Sequence, residues 1–281
     1  FKFHSQENIP KAEKYYQQLI NMGCNDHRVF SNYGVILRDL GKLKEAETST
    51  RKAIKIVPDY ANAHYNLGNI LRDLDKLKEA EISTRKAIKI IPDFIEAHFN
   101  LGVILNDLGN LQEAEISYRK AIKLNPNYAE AHYSLGNILS DLGNLQEAEI
   151  SYRKAIELNP NCANSHFNIG NILNDFGNQK EAFRHWIKSA ELEPQDDKLV
   201  IGLANNLCSV GKYELALKYL SKNKSNSSQV GYLGCLLSVN REKEFNEKYK
   251  ELFEKKVCNA DFGGIVEHAN IIYGKQYKSP F

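Results

Sequence analysis

Residues 129–162, AEAHYSLGNILSDLGNLQEAEISYRKAIELNPNC, decide the fold of this 281-residue chain. Apolar residues recur at helical spacing in both halves of this stretch, and Gly143 separates the halves. A glycine can adopt the left-handed conformation that ends a helix, and Pro160 cannot continue one. The stretch therefore predicts two helices joined by a tight turn, with Gly136 and Ala148 facing each other inside the hairpin.

The same pattern returns along the chain with a step of 34 residues. Prolines, glycines and alanines all keep this step: Pro58, Pro92, Pro126, Pro160 and Pro194; Gly34, Gly68, Gly102, Gly136 and Gly170; Ala46, Ala80, Ala114, Ala148 and Ala182. The turn glycine recurs as well, with Asp75 in its place once: Gly41, Gly109, Gly143, Gly177 and Gly211. The Asp or Asn after the periodic proline is expected to cap the next helix: Asp59, Asp93, Asn127 and Asn161.

The period predicts how the chain is divided. Residues 1–26 form a partial unit, and six units follow at 27–60, 61–94, 95–128, 129–162, 163–196 and 197–230, of which the last is degenerate. Residues 231–281 are expected to form a degenerate helical hairpin that caps the array and a non-repeat tail. The polar run SKNKSNSSQ, which begins at Ser221, predicts a loop before helices over 231–240 and 242–256.

These residues resemble the tetratricopeptide repeat (TPR) family. The Leu, Gly, Ala, aromatic and Pro positions recur at that family's spacing across about residues 27–220. The resemblance implies an all-α fold, a right-handed solenoid of antiparallel helix hairpins with a helical C-terminal cap. It also implies protein binding as the general function, without naming a ligand.

Composition excludes several classes of protein. Lys plus Arg is 37 and Asp plus Glu is 35, so the net charge of +2 does not indicate a nucleic-acid partner. The longest apolar stretch, residues 230–239, is too short to span a membrane. The cysteines are odd in number, scattered and never in a CxxC pair, which predicts reduced thiols and a cytoplasmic location: Cys24, Cys162, Cys208, Cys235 and Cys258.

The helical wheel predicts a binding groove. The second, sixth, ninth and thirteenth residues of each unit lie opposite the core side of its first helix, and stacked units would join them into a concave surface. Asparagine and aspartate dominate that surface, and an amide can bond to the backbone of an extended peptide. The predicted groove residues are Asn32, Asn62, Asn66, Asn69, Asp73, Asn100, Asp107, Asn137, Asp141, Asn168, Asn171 and Asp175.

One row of these amides is similar to the asparagine ladder in the repeat arm of O-linked N-acetylglucosamine transferases. The matching positions are Asn32, Asn66, Asn100 and Asn168, and Ser134 interrupts the row. That likeness implies contact with a substrate peptide. The alternative is that the amides are solvated or cap neighbouring helices. Arg28, Arg38 and Arg72 could likewise hold an acidic ligand group or be neutralised by nearby aspartates.

Other repeating residues point to structure rather than chemistry. One histidine per unit cannot converge on one metal ion, so His64, His98, His132 and His166 are expected in the core. The aromatic residues beside them either line the groove or pack between hairpins: Tyr65, Phe99, Tyr133 and Phe167. The Arg-Lys pairs on the second helices are preceded by a glutamate four residues earlier, which predicts neutralisation within the helix.

The sequence contains no catalytic constellation, cofactor motif or metal cluster. We therefore predict a non-catalytic scaffold that binds an extended protein or peptide segment, with no nucleic-acid or membrane partner and no cofactor. The alternative is the substrate-recognition arm of a larger enzyme, of the transferase or oxygenase type, whose catalytic domain follows Phe281. Self-association through the truncated N-terminal end is a third expectation.

Overall fold

A computed structural model describes residues 9–257 and 260–278, which form sixteen α-helices and no β-strand. The chain divides after Leu158 into two compact units. The first unit contains α1 (Ile9–Asn21), α2 (His27–Asp39), α3 (Leu43–Ile56), α4 (Ala61–Asp73), α5 (Leu77–Ile90), α6 (Ile95–Asp107), α7 (Leu111–Leu124), α8 (Ala129–Asp141) and α9 (Leu145–Leu158). The second contains α10 (Ala163–Asp175), α11 (Gln179–Leu192), α12 (Asp197–Ser209), α13 (Tyr213–Leu220), α14 (Asn226–Ser238), α15 (Glu242–Glu254) and α16 (Ala260–Tyr273). The predicted all-α fold of helix hairpins is confirmed.

The turn inside each hairpin needs a left-handed residue. The glycine that closes the first helix has a φ of +74° at Gly41 and +77° at Gly109, and Asp75 adopts a φ of +60° at the equivalent place. The amide of the next residue then bonds back to the helix, as Asn110 does to the carbonyl of Leu105 at 2.8 Å. The predicted role of these glycines is confirmed.

Small residues let the two helices of a hairpin approach each other. Ala114 and Ala148 are completely buried. A Cβ atom added at Gly136 would lie 2.6 Å from the ring of Tyr152, so this ring lies directly against the glycine; in the earlier repeats the carbonyl oxygens of Ala46 and Ala80 lie 3.2 and 3.4 Å from the Cβ positions of Gly34 and Gly68.

The four predicted helix caps, Asp59, Asp93, Asn127 and Asn161, are wrong. The N-cap residue of α4 is Tyr60, and it makes no side-chain capping bond. Asp59, the expected cap, lies one residue too early and instead forms an ion pair with Lys86 at 2.7 Å. Asp93, Asn127 and Asn161 are likewise one residue before the N-caps of α6, α8 and α10, which are Phe94, Tyr128 and Cys162.

The second unit departs from the expected loop after α13. Helix α14 begins at Asn226, inside the polar run that predicted a loop through residue 229. Ser225 makes this possible, because its hydroxyl accepts a hydrogen bond from the amide of Ser228 at 3.1 Å. Helix α15 packs on α14, and its buried Phe245 stacks with Tyr249, 6.4 Å between ring centroids.

Two cysteines of the second unit lie together, which the scattered sequence positions did not predict. The sulfur atoms of Cys208 in α12 and Cys235 in α14 are 3.2 Å apart, and both thiols are free. The hydrogen bond from Cys235 lowers the pKa of Cys208. The same bond and burial raise the pKa of Cys235. Cys258 lies outside the described residues, as do residues 1–8 and 279–281.

Within residues 9–257 and 260–278, no helix has the length and apolar character needed to cross a bilayer. The same residues contain no group of three or more His, Cys, Asp or Glu side chains placed to hold a metal ion.

Candidate peptide-binding face

The predicted groove residues of the first unit lie along one face of α2, α4, α6 and α8. We call this surface the amide face: Asn32, Asn62, Asn66, Asn69, Asp73, Asn100, Asp107, Asn137 and Asp141. Successive first helices contact each other, α2 with α4 and α4 with α6, so the same face is repeated side by side. The second unit carries its own three residues on α10: Asn168, Asn171 and Asp175.

The middle of the amide face is less exposed than the helical wheel predicted. Asn100 is 4% exposed and Asn69 is 9% exposed. The physical reason is the contact between neighbouring first helices, which covers residues that a single isolated helix would leave in solvent. Asn62 and Asp107, at the two ends of their helices, remain exposed.

Two of the ladder amides hold neighbouring helices together. The Asn66 amide nitrogen donates to the hydroxyl of Ser31 in α2, at 3.0 Å. Asn100 accepts a hydrogen bond from Arg72 in α4, at 3.3 Å. These amides are therefore neither simply solvated nor helix caps, and the sequence did not single out Ser31 as a partner.

The ninth position of a 34-residue repeat carries an amide that fixes the large aromatic residue of the same hairpin. The hydroxyl of Tyr152 donates to Asn137 Oδ1 at 2.7 Å. In the second unit, Trp186 Nε1 donates to Asn171 Oδ1 at 2.9 Å. A buried ring with a polar atom needs such a partner, so these two asparagines have a structural role whatever else they bind.

Aspartates form the exposed edge of the amide face. Asp39, which occupies the place of Asp73 on α2 and extends this edge, is exposed, as are Asp107 and Asp141, and none of the three forms an ion pair with another described residue. Asp73 differs, because Arg38 of the preceding first helix pairs with it at 2.5 Å. The edge therefore carries unbalanced negative charge at three of its four positions.

The arginine cluster near the start of the chain is neutralised. Arg28 pairs with Asp26 at 2.6 Å, and Arg38 and Arg72 both approach Asp73, at 2.5 and 3.6 Å. The interpretation as a site for an acidic ligand group is wrong, because each guanidinium already faces a carboxylate.

The aromatic residues next to the histidines pack between hairpins. The ring of Tyr65 lies 5.1 Å from that of Phe94, and the ring of Phe99 lies 4.9 Å from that of Tyr128. Burial raises the pKa of Tyr118, which also contacts Phe99, to about 12. The rings therefore pack both within a hairpin and between successive hairpins, and this packing explains them without a ligand.

The repeating histidines have a common structural partner. His64 Nε2 lies 2.8 Å from the carbonyl oxygen of Pro58, and His98 and His132 repeat this contact with Pro92 and Pro126 at 2.8 and 2.9 Å. Each ring therefore connects the first helix of one repeat to the proline at the end of the preceding repeat. His98 is buried, whereas His64, His132 and His166 are half-buried, so the expected core placement holds for His98 alone.

His166 should make the second unit sensitive to acid. Burial lowers the pKa of His166 from 6.5, and the nearby Lys188 adds to this shift, while the His185 ring lies against it with nitrogens 3.1 Å apart. The unfolded chain then binds the proton more readily, so this contribution to stability is complete above pH 6.5 and is lost below it. Phenylalanine is the residue at the equivalent position of the first repeat, Phe30. We therefore expect urea unfolding to show that the free energy of unfolding falls less between about pH 7.5 and 5.5 in His166→Phe than in the wild type. An equal loss in both proteins would contradict this assignment.

The predicted pairing on the second helices is confirmed. Arg51, Arg85 and Arg119 each contact the glutamate four residues earlier, at 2.8, 2.8 and 2.7 Å. Each also reaches a glutamate of the next second helix, as Arg85 does with Glu113 at 2.6 Å. Each of these exposed ion pairs contributes little to stability. Because they neutralise the arginines, the second helices do not present a row of free arginines to a nucleic acid.

Comparison with known families agrees with this architecture. A family model described as tetratricopeptide repeat matches residues 129–162, a second with the same description matches 61–94, and one described as TPR repeat matches 34–75 and 102–143. No curated protein matches the chain.

Several solved structures are similar. One is YrrB, described as a TPR protein with an unusual peptide-binding site, which is 25% identical over 66% of this chain and 94% of its own, with a TM-score of 0.55. MamA is 27% identical over 57% of this chain and 94% of its own, with a TM-score of 0.54. PilF of Pseudomonas aeruginosa covers 88% of this chain and 99% of its own with a TM-score of 0.61, and at 18% identity it supports the fold alone. Residues 34–94 and 102–162 of this chain are therefore tetratricopeptide repeats.

Proposed function

We propose that the chain is a protein–protein interaction scaffold whose amide face binds an extended polypeptide. The observation that carries this proposal is the row of exposed aspartates without ion pairs, Asp39, Asp107 and Asp141, beside a row of asparagines on four successive hairpins. A fold alone does not require unbalanced charge at one repeated position. A ligand with complementary groups would use it.

Asn66 retains hydrogen-bonding capacity for a ligand. An asparagine side chain offers two donors and two acceptor lone pairs. The bond to Ser31 uses one donor of Asn66, and no described residue bonds to its carbonyl oxygen. A peptide amide could donate to that oxygen, and a peptide carbonyl could accept from the remaining donor. Recognition of this kind depends on the main chain of the ligand and little on its side chains.

The aspartates set the preference among ligands. Carboxylates bind cationic groups and accept hydrogen bonds from hydroxyls, so segments rich in Lys, Arg, Ser or Thr fit the edge of the face. The similarity to YrrB supports peptide binding as the general mode, since that protein is described by its peptide-binding site. We also propose that Asn32, Asn66, Asn100 and Asn168 contact the peptide as the asparagine ladder of O-linked N-acetylglucosamine transferases does.

Selection of peptides tests this function directly. Random peptides displayed on phage would be panned on the immobilised chain, and the best peptide would be synthesised and titrated calorimetrically. We expect enrichment of basic and hydroxylated residues without a fixed motif. The variant Asn66→Ser, Asn100→Ser should bind about thirtyfold more weakly, because it loses two amides and each hydrogen bond contributes about 1 kcal/mol.

The controls for this test come from the chain itself. Ser134 already occupies the ladder position of its unit, so serine is compatible with the fold there. Gln112→Ser, Gln146→Ser removes two exposed amides from second helices and should leave affinity unchanged. If the Asn66 and Asn100 variant binds as tightly as the wild type, the amides serve the fold alone.

In the alternative function, the chain is the substrate-recognition arm of a larger enzyme and binds its substrate on the same amide face. The bound segment would then be presented to a catalytic domain. The coding sequence beyond Phe281 distinguishes the two, because a catalytic domain there supports the arm and a stop codon supports the independent scaffold.

Self-association is a separate proposal for the N-terminal end. Leu19 and Met22 of this end are 39% and 83% exposed, and together they offer apolar surface to a second copy of the chain. Light scattering across protein concentrations should show a dimer that Leu19→Ser, Met22→Ser abolishes. A monomer at every concentration would contradict this idea.

A further inference from the structure

Three isoleucines of the first unit lie exposed on the second helices. Ile82 of α5, Ile116 of α7 and Ile150 of α9 are 70%, 68% and 68% exposed, at equivalent places in three successive repeats. The preceding repeat has Thr48 at this place, also exposed. The fold therefore accepts a polar residue there, so packing does not explain the isoleucines.

Each isoleucine forms one wall of a cavity between successive second helices. These cavities are open to solvent and have volumes of about 450, 500 and 410 Å³. In the first of them, Ile54, Leu67 and Ile82 provide the apolar wall, and the other two repeat this arrangement. Cavities of this size can receive side chains of a partner, and the isoleucines widen their apolar surface.

The charged residues that line the cavities are all cations. The three arginines are satisfied by glutamates, as described above. Lys55, Lys89 and Lys123 line one cavity each, are exposed, and form no ion pair with a described residue. The surface therefore combines apolar cavities with unpaired positive charge, which complements an acidic partner with apolar side chains.

We propose that the isoleucine row, Ile82, Ile116 and Ile150, with its flanking lysines, binds an acidic amphipathic helix of a partner protein. A helix is favoured over an extended segment because the second helices pair their own backbone groups and offer none to a strand. A helix satisfies its backbone internally, places one apolar side in the cavities and directs carboxylates to the lysines. This surface lies on second helices, separate from the amide face, so it supplies a second binding function.

The probe for this proposal is a fluorescein-labelled synthetic helix of about 18 residues with one leucine face and glutamates elsewhere. Two control peptides would contain lysine in place of glutamate, or the same residues in an order that scatters the leucines. Fluorescence anisotropy with the full chain should show binding of the acidic amphipathic peptide and at least about tenfold weaker binding of both controls.

Two variants locate the site. Ile82→Thr, Ile116→Thr, Ile150→Thr introduces the residue type of Thr48, so thermal unfolding should remain unchanged while affinity falls at least about tenfold. Lys55→Gln, Lys89→Gln, Lys123→Gln should weaken binding similarly at low salt and less at high salt. The amide-face variant Asn66→Ser, Asn100→Ser should bind the acidic peptide as the wild type does.

Three results would overturn this proposal. One is equal affinity of the acidic peptide for the wild type and the threonine variant. Another is a loss of affinity in the amide-face variant, which would move the site to the first helices. The third is isoleucine-dependent binding to phosphatidylserine vesicles with no peptide binding, which would identify a membrane surface instead.

Discussion

Replacing Trp186 with alanine is expected to lower the free energy of unfolding of the second unit by about 3–5 kcal/mol. Trp186 is 2% exposed and is the single tryptophan of the chain. Its ring fills the space opposite Gly170, where an added Cβ would lie 2.5 Å from the indole, and Nε1 donates to Asn171. The substitution removes the ring from the hairpin and leaves Asn171 Oδ1 without its donor.

Circular dichroism during urea unfolding measures this loss, since the fluorescence of the tryptophan is absent in the variant. Trp186→Tyr is the matched control, because Tyr152 occupies the equivalent place in the first unit and donates to Asn137 at 2.7 Å. We expect tyrosine to cost less than about 1.5 kcal/mol. A cost of alanine no larger than that of tyrosine would show that the ring does not hold the hairpin together.

Gly102→Val is expected to destabilise the first unit by about 2–3 kcal/mol. A Cβ atom at Gly102 would lie 2.6 Å from the ring of Tyr118, which is buried with 3% of its surface exposed. Valine would therefore push α6 and α7 apart. Denaturant unfolding measures the change.

Two further variants identify the cause of this loss. Gly109→Asp should cost about 1 kcal/mol or less, since Asp75 adopts the same left-handed conformation and no side chain lies within 4 Å of Gly109. Gly102→Val, Tyr118→Ala removes the ring opposite the valine, and its loss should be smaller than the sum of the single losses. Strict additivity would contradict a clash between the two residues.

The sequence predicted the helices because each repeat contains its own local signals. The left-handed glycines and the helix-breaking prolines act within a few residues, and the structure places the turns where these residues stand. Side-chain partners across the interfaces were harder to predict. Asp59 pairs with Lys86 of the following second helix instead of capping α4, and no local pattern shows this.

The candidate site was predicted in outline from the helical wheel. The wheel treats a helix as isolated, so it placed Asn69 and Asn100 in solvent, whereas the neighbouring first helices bury them. The exposed aspartates follow the wheel because they lie at the ends of their helices. The isoleucine row was not predicted, since an exposed isoleucine looks like a core residue until the fold is known.

The central claim, that an extended peptide binds on the amide face, is tested most directly by photocrosslinking. A benzoylphenylalanine residue would replace Asp107, an exposed residue of this face, in one protein and Ile116 of a second helix in another. We predict that the peptide selected by phage display crosslinks to the chain with the probe at 107 and not with the probe at 116. Crosslinking at 116 alone would contradict the account and would place peptide binding on the second helices.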